Sequence, residues 1–135
     1  MAISRGMSKV ARKAFSEHEK STIFAKTSGH CTYCGDGLTR DQYGNCNADP
    51  RPNGAWEVDH WKPVASPIFN QENEADYDEN FVPACCPCND EKAAQDGDEY
   101  MLRRVREKKT TNGETIGKML WKDPHAKSRT PPSVG

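Results

Sequence analysis

Asn80-Phe81-Val82-Pro83-Ala84-Cys85-Cys86-Pro87-Cys88-Asn89-Asp90-Glu91-Lys92 is the stretch that decides how this chain folds. Phe81 and Val82 read as a short strand. Pro87 stands where a turn opens a helix, because its fixed φ and missing N–H suit a first helical turn. That helix is expected to run to about Gln95, with Gly97 as its stop. Upstream, Trp56-Glu57-Val58-Asp59-His60 puts the β-formers Trp56 and Val58 at alternate positions, and Pro63 then ends regular pairing. Two strands followed by a helix give a small α+β core over about 55–96. Asp59 and His60 sit at the far end of the first strand, where strand twist can turn neighbouring side chains toward one site.

Cysteine spacing supplies the brace. Cys31/Cys34 and Cys85/Cys88 are two Cys-x-x-Cys knuckles, and a two-residue spacer lets both sulfurs of a knuckle face one ion. Four thiolates close a tetrahedral site around Zn²⁺ and leave no open position, so such a zinc holds structure. About fifty residues separate the knuckles, more than the ~15–20 of a compact ribbon, so a substantial insertion lies between them. A disulfide framework is the alternative for six cysteines in a short chain. The opening Met1-Ala2-Ile3-Ser4-Arg5 is not a charged-then-apolar leader, which makes a reducing cytoplasm the expected setting and Cys46 and Cys86 free thiols. Cys86 is the weaker ligand candidate, because only Cys85 gives the two-residue spacer to Cys88. With zinc satisfied by sulfur, His60 is free for other work.

Flanking elements follow from caps and periodicity. Ser16-Glu17-His18-Glu19 has capping-box spacing, predicting a helix from Glu17 to about Thr27 with Gly29 as its stop. Asp98 is expected to cap a helix from Glu99 to about Lys108, with Met101, Leu102 and Val105 on one face and Arg103, Arg104 and Arg106 largely on the other. A turn at 110–113 and a short helix from Glu114 to Trp121 follow. The organisation expected is one domain over 11–122 between loose segments at 1–10 and 123–135.

Composition limits the partners. Apolar residues make up 34% of the chain and mean hydropathy is −0.95, so the core is thin and metal binding becomes part of the folding energy. No apolar run approaches the ~20 residues that span a bilayer. The net charge of −1 is unevenly spread: residues 1–28 carry +4 and 101–135 carry +6, leaving about −11 between. Basic flanks around an acidic centre can hold phosphates from the sides while carboxylates hold cations. Asn89 and Lys92, three apart at the start of the predicted helix, share a face near its positive end, which suits a phosphate.

Taken in order, Cys-x-x-Cys, Val-Asp-His-x-x-Pro, Asn-x-x-Pro-x-Cys and Cys-x-x-Cys-Asn-x-x-Lys resemble the HNH (His-Asn-His) endonucleases, in the branch whose ββα-metal core is braced by a Cys₄ zinc. The matched features cover about sixty residues. The resemblance implies that Asp59 binds a catalytic divalent metal and that His60 is the general base. It implies further that the Asn80 amide orients the base and its loop, that Asn89 stands in for the second His as a metal ligand, and that Lys92 contacts a phosphate. Oxygen ligands favour Mg²⁺ or Mn²⁺, and a neutral imidazole near pH 7 can accept a proton from water. The implied partner is DNA, duplex above all, cut with low sequence specificity. A zinc-braced nucleic-acid-binding or adaptor module without turnover, and an RNA-cleaving nuclease, are the alternatives. No residue pattern selects a protein partner or inhibitor. One departure from the family is the acidic stretch 66–79, with Glu72, Glu74, Asp76, Asp78 and Glu79, expected as a solvated loop turned away from the substrate.

Overall fold

The computed structural model describes residues 14–64, 66–70, 72–110 and 115–121. The segments expected to be loose, 1–10 and 123–135, lie outside the described residues, as does the 110–113 turn apart from Thr110.

Strand β1, Trp56–His60, pairs antiparallel with β2, Phe81–Cys85, in a register that sets Trp56 against Cys85 and His60 against Phe81. Alternation along the strands sorts the side chains. Trp56, Val58 and Phe81 join Ile23 in one apolar cluster, while Val82 and Ala84 face a second with Tyr33, Trp61, Tyr100 and Trp121. Pro83 is tolerated because a two-stranded sheet has only edge strands. Its carbonyl accepts from both the backbone N–H and the hydroxyl of Thr32, which fastens the first knuckle to β2.

Helix α1, Glu17–Ala25, begins with the predicted capping box: the Ser16 hydroxyl accepts from Glu19 N–H, and the Glu19 carboxylate accepts from Ser16 N–H. It packs on β2 through Ile23. Gly29 ends this segment with φ of 78°, and a Cβ there would stand 2.8 Å from the Phe24 ring.

The second helix, α2, is Cys86–Lys92, with Pro87 in its first turn. It is shorter than predicted. Ala93 takes φ of 50° and stops it three residues before Gln95, which places Lys92 in the last turn and away from the helix's positive end. Gly97, expected as a terminator, instead begins α3, Gly97–Arg106, with Asp96 rather than Asp98 as the cap. A Cβ on Gly97 would lie 2.3 Å from the Trp61 ring, so the glycine is there to let the helix approach the core. The faces of α3 also differ from the prediction: Tyr100, Met101 and Arg104 point inward and Leu102 is exposed. Helix α4, Ile116–Leu120, is capped by Thr115, whose hydroxyl also donates to the Thr32 carbonyl. Gly117 of α4 sits against the Cys31 carbonyl, where any Cβ would collide with backbone.

One prediction is overturned outright. Cys46 and Cys86 are joined as a disulfide, not free. Their pairing is not legible in the sequence, because a separation of 40 residues says nothing about spatial approach. The bridge ties the loop before β1 to the first residue of α2, next to knuckle residue Cys85.

Candidate active site and metal centre

The four knuckle cysteines form one buried cluster, with their sulfurs all within 4.8 Å of one another. The first knuckle aims two backbone donors at sulfur: Tyr33 N–H lies 3.4 Å from Cys31 Sγ and Asp36 N–H 3.4 Å from Cys34 Sγ. Hydrogen bonding from Cys34, reinforced by Cys85 and Cys88, holds the Cys31 thiol well below its ordinary range, and the same contact drives the Cys34 thiol up. Sulfurs this close cannot all ionise unless a cation neutralises them. The surroundings fit such a group. Arg104 is buried with its Nη1 3.7 Å from Cys88 Sγ, and among the described residues its Nε has no partner and no carboxylate pairs with it. A tetrathiolate holding one divalent cation is an anion that such a guanidinium balances. The Cys₄ cluster can therefore hold a structural metal.

At the end of β1 the two expected functional residues face different neighbours. Asp59 lies on the side of the second cluster, 12% exposed at its side chain; its Oδ2 accepts from the Tyr33 hydroxyl at 2.6 Å and from Lys92 Nζ at 2.9 Å. Burial, followed by the Asp59 charge, pushes the Tyr33 hydroxyl well above its ordinary value, so it remains a donor. Among the described residues, Oδ1 of Asp59 makes no hydrogen bond. Lys92 is only 2% exposed, and its ammonium also donates to the His60 carbonyl at 3.1 Å. Lys92, expected to contact a phosphate, directs its charge inward, against Asp59. Helical periodicity reports which residues share a face, not what covers that face.

His60 lies on the other side of the strand, its ring 5.3 Å from that of Phe81. Its Nε2 is 2.7 Å from Asp76 Oδ1, and among the described residues Nδ1 has no hydrogen bond. The acidic stretch is thus not wholly turned away, as its charge suggested, since Asp76 meets His60 directly. Asp78 and Glu79 attract the Lys26 ammonium, which is bonded to the Asp78 carbonyl and, at 2.7 Å, to the Phe81 carbonyl.

Asn80 is fully buried and uses its whole amide. Its Oδ1 accepts from Lys62 N–H at 2.8 Å, and its Nδ2 donates to the Lys62 and Ala75 carbonyls, both at 2.9 Å. Its own carbonyl accepts from Trp61 N–H at 2.9 Å. One side chain therefore fixes the chain just after His60 to the chain just before Asp76. Asn89, in the middle of α2, is half-buried, and its amide has no partner among the described residues.

This is a two-strand-and-helix unit braced by a Cys₄ cluster, with a histidine and a carboxylate adjacent at a strand end. Residues 31–95 match the HNH endonuclease family, a span of slightly less than half the chain. None of the curated proteins is similar enough to match. The family match supports a nuclease-type role and an association with nucleic acid. Among the described residues no helix is long and apolar enough to cross a membrane.

Proposed function

We propose that the protein is a metal-dependent DNA endonuclease that hydrolyses phosphodiester bonds with His60 as general base and little intrinsic sequence preference. The observation that carries this reading is an imidazole whose Nδ1 has no hydrogen bond among the described residues, next in sequence to a held carboxylate, in the segment that matches the HNH family.

The chain's own groups supply the following steps. Nδ1 of His60 takes a proton from the attacking water, a role open to a neutral imidazole. The water oxygen forms the new P–O bond as the bond to the 3′ oxygen breaks, and that oxygen is reprotonated from solvent. The products are 5′-phosphate and 3′-hydroxyl ends. Tyr33 and Lys92 hold Asp59 in one rotamer through Oδ2 and leave Oδ1 available. Asp59 Oδ1 and the Asn89 amide oxygen are the residues that would hold Mg²⁺ or Mn²⁺. A hard cation bound there supplies charge neutralisation on the phosphate and the departing oxygen. Asn80 keeps the loop beside the base in place. The Cys₄ cluster would hold Zn²⁺, which with all four positions filled by sulfur would serve structure.

A plasmid-nicking assay tests the reading, run on zinc-loaded protein with Mg²⁺, Mn²⁺ or EDTA beside His60→Ala. The expected result is metal-dependent cleavage, reduced at least ~100-fold in the variant, with unchanged thermal stability and DNA binding. Cleavage that persists in His60→Ala removes the base assignment. DNA bound but uncut with every metal favours the adaptor reading, and a parallel RNA substrate separates the two nuclease readings.

A further inference from the structure

We propose that Asp76, outside every recognised motif, is the positioning carboxylate of His60: it holds the imidazole in the Nε2–H tautomer and so keeps the Nδ1 lone pair directed at the water. This rests on the reading of His60 as the base. Asp76 comes from the acidic loop that the sequence assigned to solvent.

An ionised carboxylate can only accept hydrogen bonds. At 2.7 Å from Asp76 Oδ1, Nε2 of His60 must therefore carry the proton, and in the neutral ring Nδ1 is then the acceptor. A base needs that form. The opposite tautomer would present an N–H to the water and accept nothing. The Phe81 ring, 5.3 Å away and tilted by 65°, packs against the imidazole as well.

The carboxylate is itself held in place. Ala75, directly before it, is fully buried, and its carbonyl is bound by Asn80 Nδ2 at 2.9 Å. The same amide binds Lys62, two residues after His60. One buried side chain thus fixes the base and its carboxylate relative to each other, and the backbone bond from Asn80 N–H to Tyr77 O closes the loop behind them. Other charges nearby are engaged elsewhere. Lys92 reaches the His60 carbonyl but pairs with Asp59, Asp59 faces the opposite side of the strand, and Asp78 and Glu79 attract Lys26.

With side chains 22% and 28% exposed, the His60–Asp76 pair is worth little as a surface ion pair, so stability alone gives no reason for the loop to deliver a carboxylate here. Orientation does. Such supporting contacts to a functional histidine are typically worth on the order of 10–100-fold in activity.

Asp76→Asn is the decisive variant, because it keeps the shape but offers an amide N–H to Nε2 and favours the wrong tautomer. Steady-state cleavage of plasmid DNA should show kcat lower by about 10–100-fold. KM should be unchanged or lower, since a negative charge near the phosphates is lost. Asp76→Glu should recover part of kcat, and Asp78→Asn, which removes the same charge from the same loop, should leave kcat unaltered. Long-range ¹H–¹⁵N spectra of the His60 ring give an independent readout: Nε2–H in the wild type, shifted toward Nδ1–H in Asp76→Asn. An unchanged kcat in an otherwise active protein overturns the proposal, and so does a raised one, which would make Asp76 a blocking group. A wild-type ring in the Nδ1–H form also overturns it. A wild-type protein that cuts neither DNA nor RNA with any metal removes the base reading and this role with it, even where the spectra show the contact.

Discussion

At the scale of single residues, Lys92 shows how far burial redefines a side chain. A lysine three positions after Asn89 reads as a solvent-facing cation, yet its ammonium is enclosed and bound to Asp59 Oδ2 at 2.9 Å and the His60 carbonyl at 3.1 Å. Removing one member of a buried pair strands the other charge, which costs about 3–5 kcal/mol. Lys92→Ala is therefore expected to lower the urea unfolding midpoint clearly, and to weaken cleavage through a displaced Asp59. A variant with wild-type stability and weakened DNA binding would restore Lys92 to the phosphate. Arg104 makes the same point in reverse. Its place in an Arg-rich run suggested an exposed face, but the guanidinium lies against Cys88 Sγ because α3 turns its Tyr100–Arg104 edge inward.

At the scale of elements, the knuckles and the strand pair were readable from local chemistry. Ser16 and Glu19 form their capping box, Trp56 and Val58 alternate on β1, and Pro87 opens α2. Helix ends were less legible, since α2 stops at Lys92 through the positive φ of Ala93, which no local signal marks. Gly97 illustrates the ambiguity of the residue type: glycine can end a helix or admit a close neighbour, and here Trp61 decides for the second. The Cys46–Cys86 bridge links the loop before β1 to α2 across 40 residues of sequence. Loop-closure arguments put its contribution at about 3–4 kcal/mol. Cys46→Ser is accordingly expected to lower the unfolding midpoint while the protein keeps its stoichiometric metal, measured by denaturation and elemental analysis. Loss of the metal as well would show that the bridge and the Cys₄ cluster form one unit.

For the whole molecule, the cysteine cluster is the point at which distant elements meet. The first knuckle is held by β2 through Thr32 and Pro83 and by α4 through Gly117, and the second knuckle begins α2 and touches α3 through Arg104. In a chain this polar, a bound metal worth on the order of 10 kcal/mol is comparable to the entire folding stability. Stripping the cluster with a strong zinc chelator should unfold the protein, seen as loss of far-ultraviolet circular dichroism. Removing only Mg²⁺ should abolish cleavage and leave the spectrum unchanged. A chelated protein that keeps its spectrum would make the cluster dispensable for folding.

The sequence alone determined the ligand set of the cluster, the two strands and the helix after them, and the adjacent Asp59 and His60, because each is written in spacing, alternation or turn chemistry over a few residues. Only the tertiary structure decided that Cys46 meets Cys86, that Lys92 is enclosed with Asp59, and that Asp76 is held against His60 by the amide of Asn80. The Cys46–Cys86, Asp59–Lys92 and His60–Asp76 contacts join residues between 16 and 40 positions apart. Local propensity carries no information about such approaches, which are set by the strand register and by what each face of the sheet buries.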